Sequence, residues 1–468
     1  MDAPPPVTAE DLAATPASVL ALIQWLTKRV AHLEARVAEL EAQLNKDSTN
    51  SSLPPSSSHP HAKPAPPKPK SKRRRGGQHG HPKAERGLIP VDQCQAVVPC
   101  VPGACRRCGR LLRGTDPQPL RHQVWELPDI QPLVTEYQQH RLICSCGCST
   151  CGELPAGVPS GQAGPRLTAF AGLLMACFRQ SKRRAAQFLG TILNQPASAA
   201  WMVLLQNRCA DAVQPAYDAL AAQLPNQAVL HIDESPTKEG PAKSWVWTIV
   251  AKSFTFFACR TSRGGEVPKQ LLGENFAGVI HCDRAKMYWQ FPRLQWCWAH
   301  LKRDFQALID HPCHTKKRLG RDLMRPTKEL FALWKRIRDG TLQRRTVIRR
   351  MRPIRRRFGE LLSRRYFNPL LRNVCKELVK HYQHLWTFLT VDGVEPTNNA
   401  AERALRHAVI WRKLSFGTQS AAGSRFVERM LTVVETARRA GRNVFAWLTE
   451  TVRAHFRRDA TPPLLAAA

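Results

Sequence analysis

Acidic residues are the scarcest thing in this sequence relative to what opposes them. Against 70 Lys and Arg stand 36 Asp and Glu, a formal charge of +34, and that deficit leaves a polyanion as the natural partner, because each neutralised phosphate releases condensed counterions. Long apolar runs are also missing. The longest is LTAFAGLLMACF at 167–178, short of the eighteen or so residues that a bilayer span needs. The start, MDAPPPVTAEDL, has no basic segment followed by an apolar stretch, so nothing directs export and a cytoplasmic, nucleoid-associated protein is expected. In that reducing setting the 15 cysteines are expected as metal ligands or buried thiols rather than disulfides. What is present suffices for folding: 43% hydrophobic residues over 468 positions predict a main domain of roughly 200 to 250 residues with smaller modules attached.

The first of these modules is periodic. Apolar residues at 19, 23, 26, 30, 33, 37, 40 and 44 alternate in steps of four and three, with Ile23, Val30 and Val37 on one seam position and Leu26, Leu33 and Leu40 on the other, the pattern of a parallel dimeric coiled coil. Arg29 and Arg36 at g positions face Glu34 and Glu41 at the following e positions, so a homodimer or higher oligomer is expected, against an amphipathic helix folded back on its own chain. Residues 1–46 are this segment. From 47 to 88 Ser, Pro and Lys take over and a disordered linker is predicted, with Lys72, Arg73, Arg74 and Arg75 as a phosphate-tracking arm.

Residues 89–160 carry Cys105-x2-Cys108 and then Cys144, Cys146, Cys148 and Cys151. Paired thiolates suit a structural Zn²⁺. The first pair has standard spacing; the second is ambiguous between Cys144-x-Cys146 and Cys148-x2-Cys151, and Cys94 and Cys100 are either additional ligands or incidental. Strand-like patches, HQVWEL and VTEYQQHRLIC, lie between the pairs. Residues 161–225 read as helical, with SKRRAAQFLG, a break at 194–196 and ASAAWMVLLQNR as a helix-turn-helix candidate in which Lys182, Arg183 and Arg184 would meet DNA.

At 226 the period changes. QAVLHID reads as a strand ending at Asp233, followed by turn residues; SWVWTIVAKS and FTFFACR read as the next two strands, EVPKQLLG as a helix, and GVIHCD as a strand delivering Asp283. LQWCWAH is a fifth strand running into a helix, and PTNNAAERALRHAV starts a helix carrying Glu402. This is an α/β arrangement, an RNase H-like mixed sheet over 226–425 with a long helical insertion at about 301–395, followed by C-terminal helices and tail at 426–468. Asp233 and Asp283 on neighbouring strands with Glu402 above them would repel one another without cations, so two Mg²⁺ or Mn²⁺ ions per active site are expected. Glu234 should face away from Asp233 in a strand; if the chain turns there, it is the alternative to one member of the three. His300 could touch phosphate or be structural, and Cys297 reads as core.

The insertion contains RRTVIRRMRPIRRRF, a one-sided charge run costly without a nearby polyanion; Arg349, Arg350, Arg355, Arg356 and Arg357 are its candidate phosphate contacts. Arg284, Arg403, Arg406, Arg412, Lys413 and Arg425, near the two later carboxylates, are further candidates.

Together HIDES around Asp233, HCDRAKMYW around Asp283, CWAHLKRDF, PTNNAAERALR and WRKLSFGTQSAAGSRF, with NKDSTNSSLPPSS, RRRGGQHGH and the cysteine segment upstream, resemble the insertion sequence 66 family of DDE transposases along nearly the whole chain. The resemblance implies a polynucleotidyl transferase whose catalytic residues are Asp233, Asp283 and Glu402, acting on terminal inverted repeats and target DNA, with small accessory proteins of the same element as further partners. Ser235 stands where the family commonly has Thr, and Arg284 where many relatives have Gly. Against this reading stand a nonenzymatic DNA-binding descendant and an RNase H-like nuclease, which specific binding to paired DNA ends would separate from it.

Overall fold

The computed structural model describes residues 14–44 and 87–465. The arm residues Lys72, Arg73, Arg74 and Arg75, and the linker up to residue 86, lie outside the described residues. Helix α1 (Ala17–Leu44) carries the predicted periodicity, and its apolar seam, Ile23, Leu26, Val30, Leu33, Val37 and Leu40, is exposed. Among the described residues it is a single helix with no coiled-coil partner along it.

Contacts divide the described chain into two units, 87–133 and the remainder. In the first, Cys105 opens a tight turn: its carbonyl accepts the Gly109 N–H (2.9 Å), and its own N–H donates to the Arg110 carbonyl (2.8 Å). HQVWEL is not a strand. Val124, Trp125 and Leu127 are exposed, and propensity alone does not hold a strand that lacks a partner and a buried face. In the second unit, β1 (Arg141–Ile143) and β2 (Ser149–Cys151) form a small antiparallel hairpin whose turn holds Cys144, Cys146 and Cys148. Neither cysteine turn by itself gathers three side chains placed to share an ion.

The core begins with helices α2 (Pro165–Ala176), α3 (Lys182–Ile192), α4 (Ala199–Ala212) and α5 (Gln214–Ala221). Ser181 and Ser198 cap α3 and α4 by accepting N–H bonds from Arg184 and Trp201. A five-stranded mixed sheet follows: β3 (Val229–Glu239), β4 (Ala242–Val250), β5 (Thr255–Arg260), then helix α6 (Glu266–Leu272), β6 (Val279–Cys282) and β7 (Leu294–Trp296). Spatial order is β5-β4-β3-β6-β7, antiparallel from β3 through β5 and parallel from β3 through β7. This sheet with its flanking helices is consistent with an RNase H-like fold.

Strand β3 does not stop at Asp233 but runs six residues further, through Pro236. The proline is tolerated because its backbone faces away from β4, on the side where β6 has already ended: the Arg412 guanidinium reaches the Pro236 carbonyl there, and no ladder N–H is lost. The same edge is covered further on by Thr418, whose N–H donates to the Lys238 carbonyl (2.9 Å). Gly417 permits that approach: its φ is +107°, and a Cβ there would lie 2.6 Å from the Lys238 carbonyl oxygen.

The long insertion is helical: α7 (Trp298–Asp310), α8 (His314–Arg338), α9 (Arg344–Leu362), α10 (Pro369–Lys380) and the single turn α11 (Thr387–Thr390). In α9 the residues Val347, Met351, Ile354, Phe358 and Leu361 alternate by four and three and are buried, which turns every intervening arginine outward. Each such side chain contributes on the order of 1.5–3 kcal/mol of burial. The chain closes with α12 (Asn399–Ser415), α13 (Ala421–Arg439) and α14 (Val444–Arg457). Helix α13 caps the sheet's β5 edge with three side chains one turn apart: Glu428, Thr432 and Thr436 accept the N–H groups of Cys259 (2.8 Å), Phe257 (2.9 Å) and Thr255 (3.1 Å). An edge closed this way offers no template for another strand.

Candidate active site

The parallel pairing of β3 and β6 sets the site. Each partner lies 50 positions on, 229 with 279 and 231 with 281, and the same offset puts Asp233 opposite Asp283, just past the last residue of β6. Residues two apart share a face, so these aspartates stand above the pair beneath them, His231 and His281, whose rings stack at 4.1 Å.

Glu402 reaches that face because the start of α12 is stapled to it. Asn398, buried, donates from Nδ2 to the Ile232 carbonyl (2.7 Å). Its Oδ1 must then accept, which makes the 3.1 Å contact with His231 Nδ1 an N–H donated by a neutral imidazole. Burial lowers the His231 pKa to about 4, against the opposing pull of the Asn398 bond. His281, buried beside it, is held well below the usual value by burial and by His231. The Asn398 N–H also donates to Cys297 Sγ (3.1 Å), and Trp298 N–H to the Pro396 carbonyl (2.9 Å), so the helix carrying Glu402 and the helix carrying His300 start side by side.

Electrostatics report convergence. Asp233 is held well above the ordinary carboxylate range, first by burial and then by the negative charges of Glu234, Asp283 and Glu402; one N–H bond, from Glu234 (3.0 Å), opposes this. Asp233 therefore feels the charge of both other acids picked out in the sequence. Asp283 is oriented by the Ala285 N–H (2.8 Å). Glu402 Oε1 is buried without a hydrogen-bond partner, as is His300 Nδ1 3.5 Å away. An orphaned carboxylate oxygen beside a carboxyl that cannot ionise easily is a donor set fitted to divalent cations. Among the described residues, Cys297, His300 and Glu402 are the one group of three whose ligand atoms lie within 4.8 Å of one another.

Glu234 takes the face opposite Asp233 and is nearly inaccessible, with the Arg263 guanidinium at 2.8 Å and the Tyr288 hydroxyl donating at 2.7 Å. Burial raises its pKa while Tyr288 and Arg263 resist the rise.

The basic candidates divide. Arg284 is taken up by two carboxylates of its own chain, Asp304 (2.9 Å) and Glu377 (3.0 Å), and Arg412 by Ser235 Oγ (3.1 Å) and the Pro236 carbonyl. Arg357 pairs with Glu329 and Arg356 with Glu360 (3.5 Å). Arg349, Arg350 and Arg355 are exposed on α9, and among the described residues no carboxylate pairs with them. The same holds for Lys182, Arg183, Arg184, Arg403, Arg406, Lys413 and Arg425. Below α9, Arg352, Arg355, Arg356 and Tyr382 line an open cavity of about 600 Å³.

At the cysteine turns, the backbone N–H groups of Arg107 and Cys108 hold the Cys105 thiol below its usual value, and that of Cys146 does the same for Cys144. Sequence reasoning passed over Asn398 and His231. The available signal is an Asn immediately before a helix, and a His two places before a strand carboxylate.

The family model described as Transposase IS66 family matches residues 160–425, which span the helices before the sheet, the sheet itself, the insertion and Glu402. A second model, a family of unknown function (DUF6444), matches residues 3–87. No curated protein matches the chain. No helix among the described residues is long and apolar enough to cross a membrane.

Proposed function

The chain belongs to the IS66 family of transposases, and we propose that it cleaves DNA at the terminal inverted repeats of its element and joins the freed ends to target DNA, using Asp233, Asp283 and Glu402 as a cation-binding trio. The observation that carries this reading is the crowding of negative charge on Asp233, whose carboxyl is pushed well above its ordinary range by burial and by Glu234, Asp283 and Glu402. When bound, a pair of Mg²⁺ or Mn²⁺ ions supplies the charge that activates the attacking oxygen and stabilises the leaving 3′-oxygen.

The protein's own part is positioning. Asp233 stands on β3, Asp283 just past the end of β6 and Glu402 on a helix held by the Asn398 staple, so the backbone sets the three positions before the phosphate arrives. His231 and His281, both neutral, keep positive charge out of the layer beneath and leave the countercharge to the cations. Arg303, 3.7 Å from Glu402 Oε1, can meet a phosphate oxygen at the mouth of the site.

Around the centre, the unpaired arginines of α9, with Lys182, Arg183, Arg184, Arg403, Arg406, Lys413 and Arg425, would grip the DNA backbone and set register rather than read sequence. The exposed seam of α1 would pair with a second copy, supporting an assembly that holds two ends. The turn of Cys105 and Cys108 would offer thiolates to structural Zn²⁺, and so, in its own unit, would the turn of Cys144, Cys146, Cys148 and Cys151; the N–H groups turned toward Cys105 and Cys144 favour thiolates there.

The test is divalent-dependent cleavage and strand transfer on duplexes carrying the host element's terminal repeats, with the element's small accessory proteins added in parallel. Joined products in the wild type and none in Asp233→Asn are expected. End binding without chemistry under every condition would identify a nonenzymatic DNA-binding descendant, and cleavage of RNA–DNA hybrids without end specificity a nuclease.

A further inference from the structure

Glu402 belongs to two groups of donors. Its charge and that of Asp283 act on Asp233, an all-oxygen set. Cys297 and His300 form the other, their Sγ and ring nitrogen, with a Glu402 oxygen, lying within 4.8 Å of one another. Thiolate, imidazole and carboxylate together are not a Mg²⁺ set; they are the mixed soft and borderline donors that select zinc-like ions.

The geometry is close to a coordination shell already. In a tetrahedral site with Zn–N about 2.0 Å and Zn–O about 2.1 Å, those two donors stand roughly 3.3 Å apart; His300 Nδ1 and Glu402 Oε1 stand at 3.5 Å. Neither atom has a hydrogen-bond partner although both are buried, so that proximity is not spent on a hydrogen bond between them. Cys297 Sγ accepts the Asn398 N–H, the supporting contact that ligating thiolates commonly receive from a neighbouring shell. The spacing of Cys297 and His300 follows from the chain: Cys297 precedes the first turn of α7 and His300 lies within it, so both project from the same end of the helix. Arg303, 3.7 Å from the same Glu402 oxygen and about a third exposed, is the cation that must withdraw.

We propose that Cys297, His300 and Glu402 form a site for one zinc-like divalent ion, with an open fourth position, and that its occupancy claims the Glu402 oxygen needed by the all-oxygen site. The functional half of this proposal rests on the catalytic reading of Glu402; the binding half does not. Zinc-like ions then act as competitive inhibitors of Mg²⁺-dependent chemistry, and removing Cys297 relieves the inhibition while leaving all three catalytic carboxylates in place.

The test uses the full chain with Co²⁺ as probe, read as bound cobalt per chain and as sulfur-to-cobalt absorption. Wild type is compared with Cys297→Ala, His300→Ala and Asp233→Asn. Expected is one cobalt fewer per chain, or more than about tenfold weaker binding of that ion, in Cys297→Ala and His300→Ala. Its absorption is lost in Cys297→Ala, and Asp233→Asn keeps it. Thiolates elsewhere in the chain are common to all four proteins and cancel in the difference. Equal cobalt content and affinity in wild type and His300→Ala overturn the site, and because His300 is partly exposed this variant decides even if Cys297→Ala does not fold. A second arm titrates Zn²⁺ into the Mg²⁺-dependent strand-transfer reaction: inhibition weakened more than about tenfold in Cys297→Ala supports competition, and unchanged inhibition overturns it. Cobalt bound as expected by a wild type that performs no strand transfer would leave the metal site standing and remove the catalytic reading.

Discussion

Two regions of this protein concentrate charge of one sign, and they do so in opposite surroundings. At the ends of β3 and β6 Asp233 sits in a partly buried site within reach of the charges of Asp283, Glu402 and, from the opposite face, Glu234, and the consequence is immediate: Asp233 cannot ionise in its ordinary range. Along α9 six arginines between Arg349 and Arg357 crowd onto a helix, but every one is exposed, where water and salt screen their repulsion to small values. On the proposed function the two are answered differently: the acids take their countercharge at fixed points and short range, from metal ions, and the arginines take theirs along a surface, from a DNA backbone.

The largest effect is expected at the acids. Asp283→Asn or Glu402→Gln should lower strand transfer by about a thousandfold or more while DNA-end binding, measured by gel shift, stays within about threefold of wild type; loss of both together would mean a folding defect. Below the acids, His231 has a pKa lowered to about 4 from 6.5. A depressed histidine contributes stability that is present above its unfolded value and lost as pH falls through the folded one. The protein should therefore lose on the order of 3 kcal/mol from this group between about pH 6.5 and pH 4. Denaturant melts across that window should show a shallower loss in His231→Gln.

A third experiment uses metal. At about a hundred times its dissociation constant, Mn²⁺ should stabilise the wild type by about 2.7 kcal/mol and stabilise Asp233→Asn far less. Without metal the order reverses. A carboxyl whose folded pKa is raised contributes stability while protonated and loses it as pH rises through that pKa. Asp233→Asn should then melt above wild type near neutral pH, the gap closing on acidification. The smallest effect per residue is expected on α9. Replacing Arg349, Arg350, Arg352 and Arg355 by Gln should change stability by less than about 0.5 kcal/mol each, yet reduce the salt dependence of DNA binding by up to about 3.6 in log–log slope. An unchanged slope would remove α9 from the DNA-binding surface.

Much of this was legible in the sequence because it depends on local pattern. The strands were readable from runs such as SWVWTIV and FTFFACR, the insertion from its helical periodicity, and the three acids from their places beside strands and on a helix. Pro236 misled, since a proline reads as a strand's end and only the absence of β6 beyond Asp233 makes it harmless. The fates of Arg284 and Arg412 were unreadable for a related reason: their partners Asp304, Glu377 and Ser235 are distant in sequence. Glu234 faces away as alternation requires, but its anchoring by Arg263 and Tyr288 is a tertiary fact. HQVWEL has the composition of a strand but joins no ladder among the described residues.

Whether Asp233, Asp283 and Glu402 hold the ions that act on DNA is decided by anomalous diffraction from crystals of the full chain with Mn²⁺ and a terminal-repeat duplex. Two manganese peaks are expected, about 4 Å apart, ligated by these three carboxylates and absent from Asp233→Asn crystals. Manganese bound elsewhere, with the three carboxylates unligated beside an engaged DNA end, would contradict that role for them.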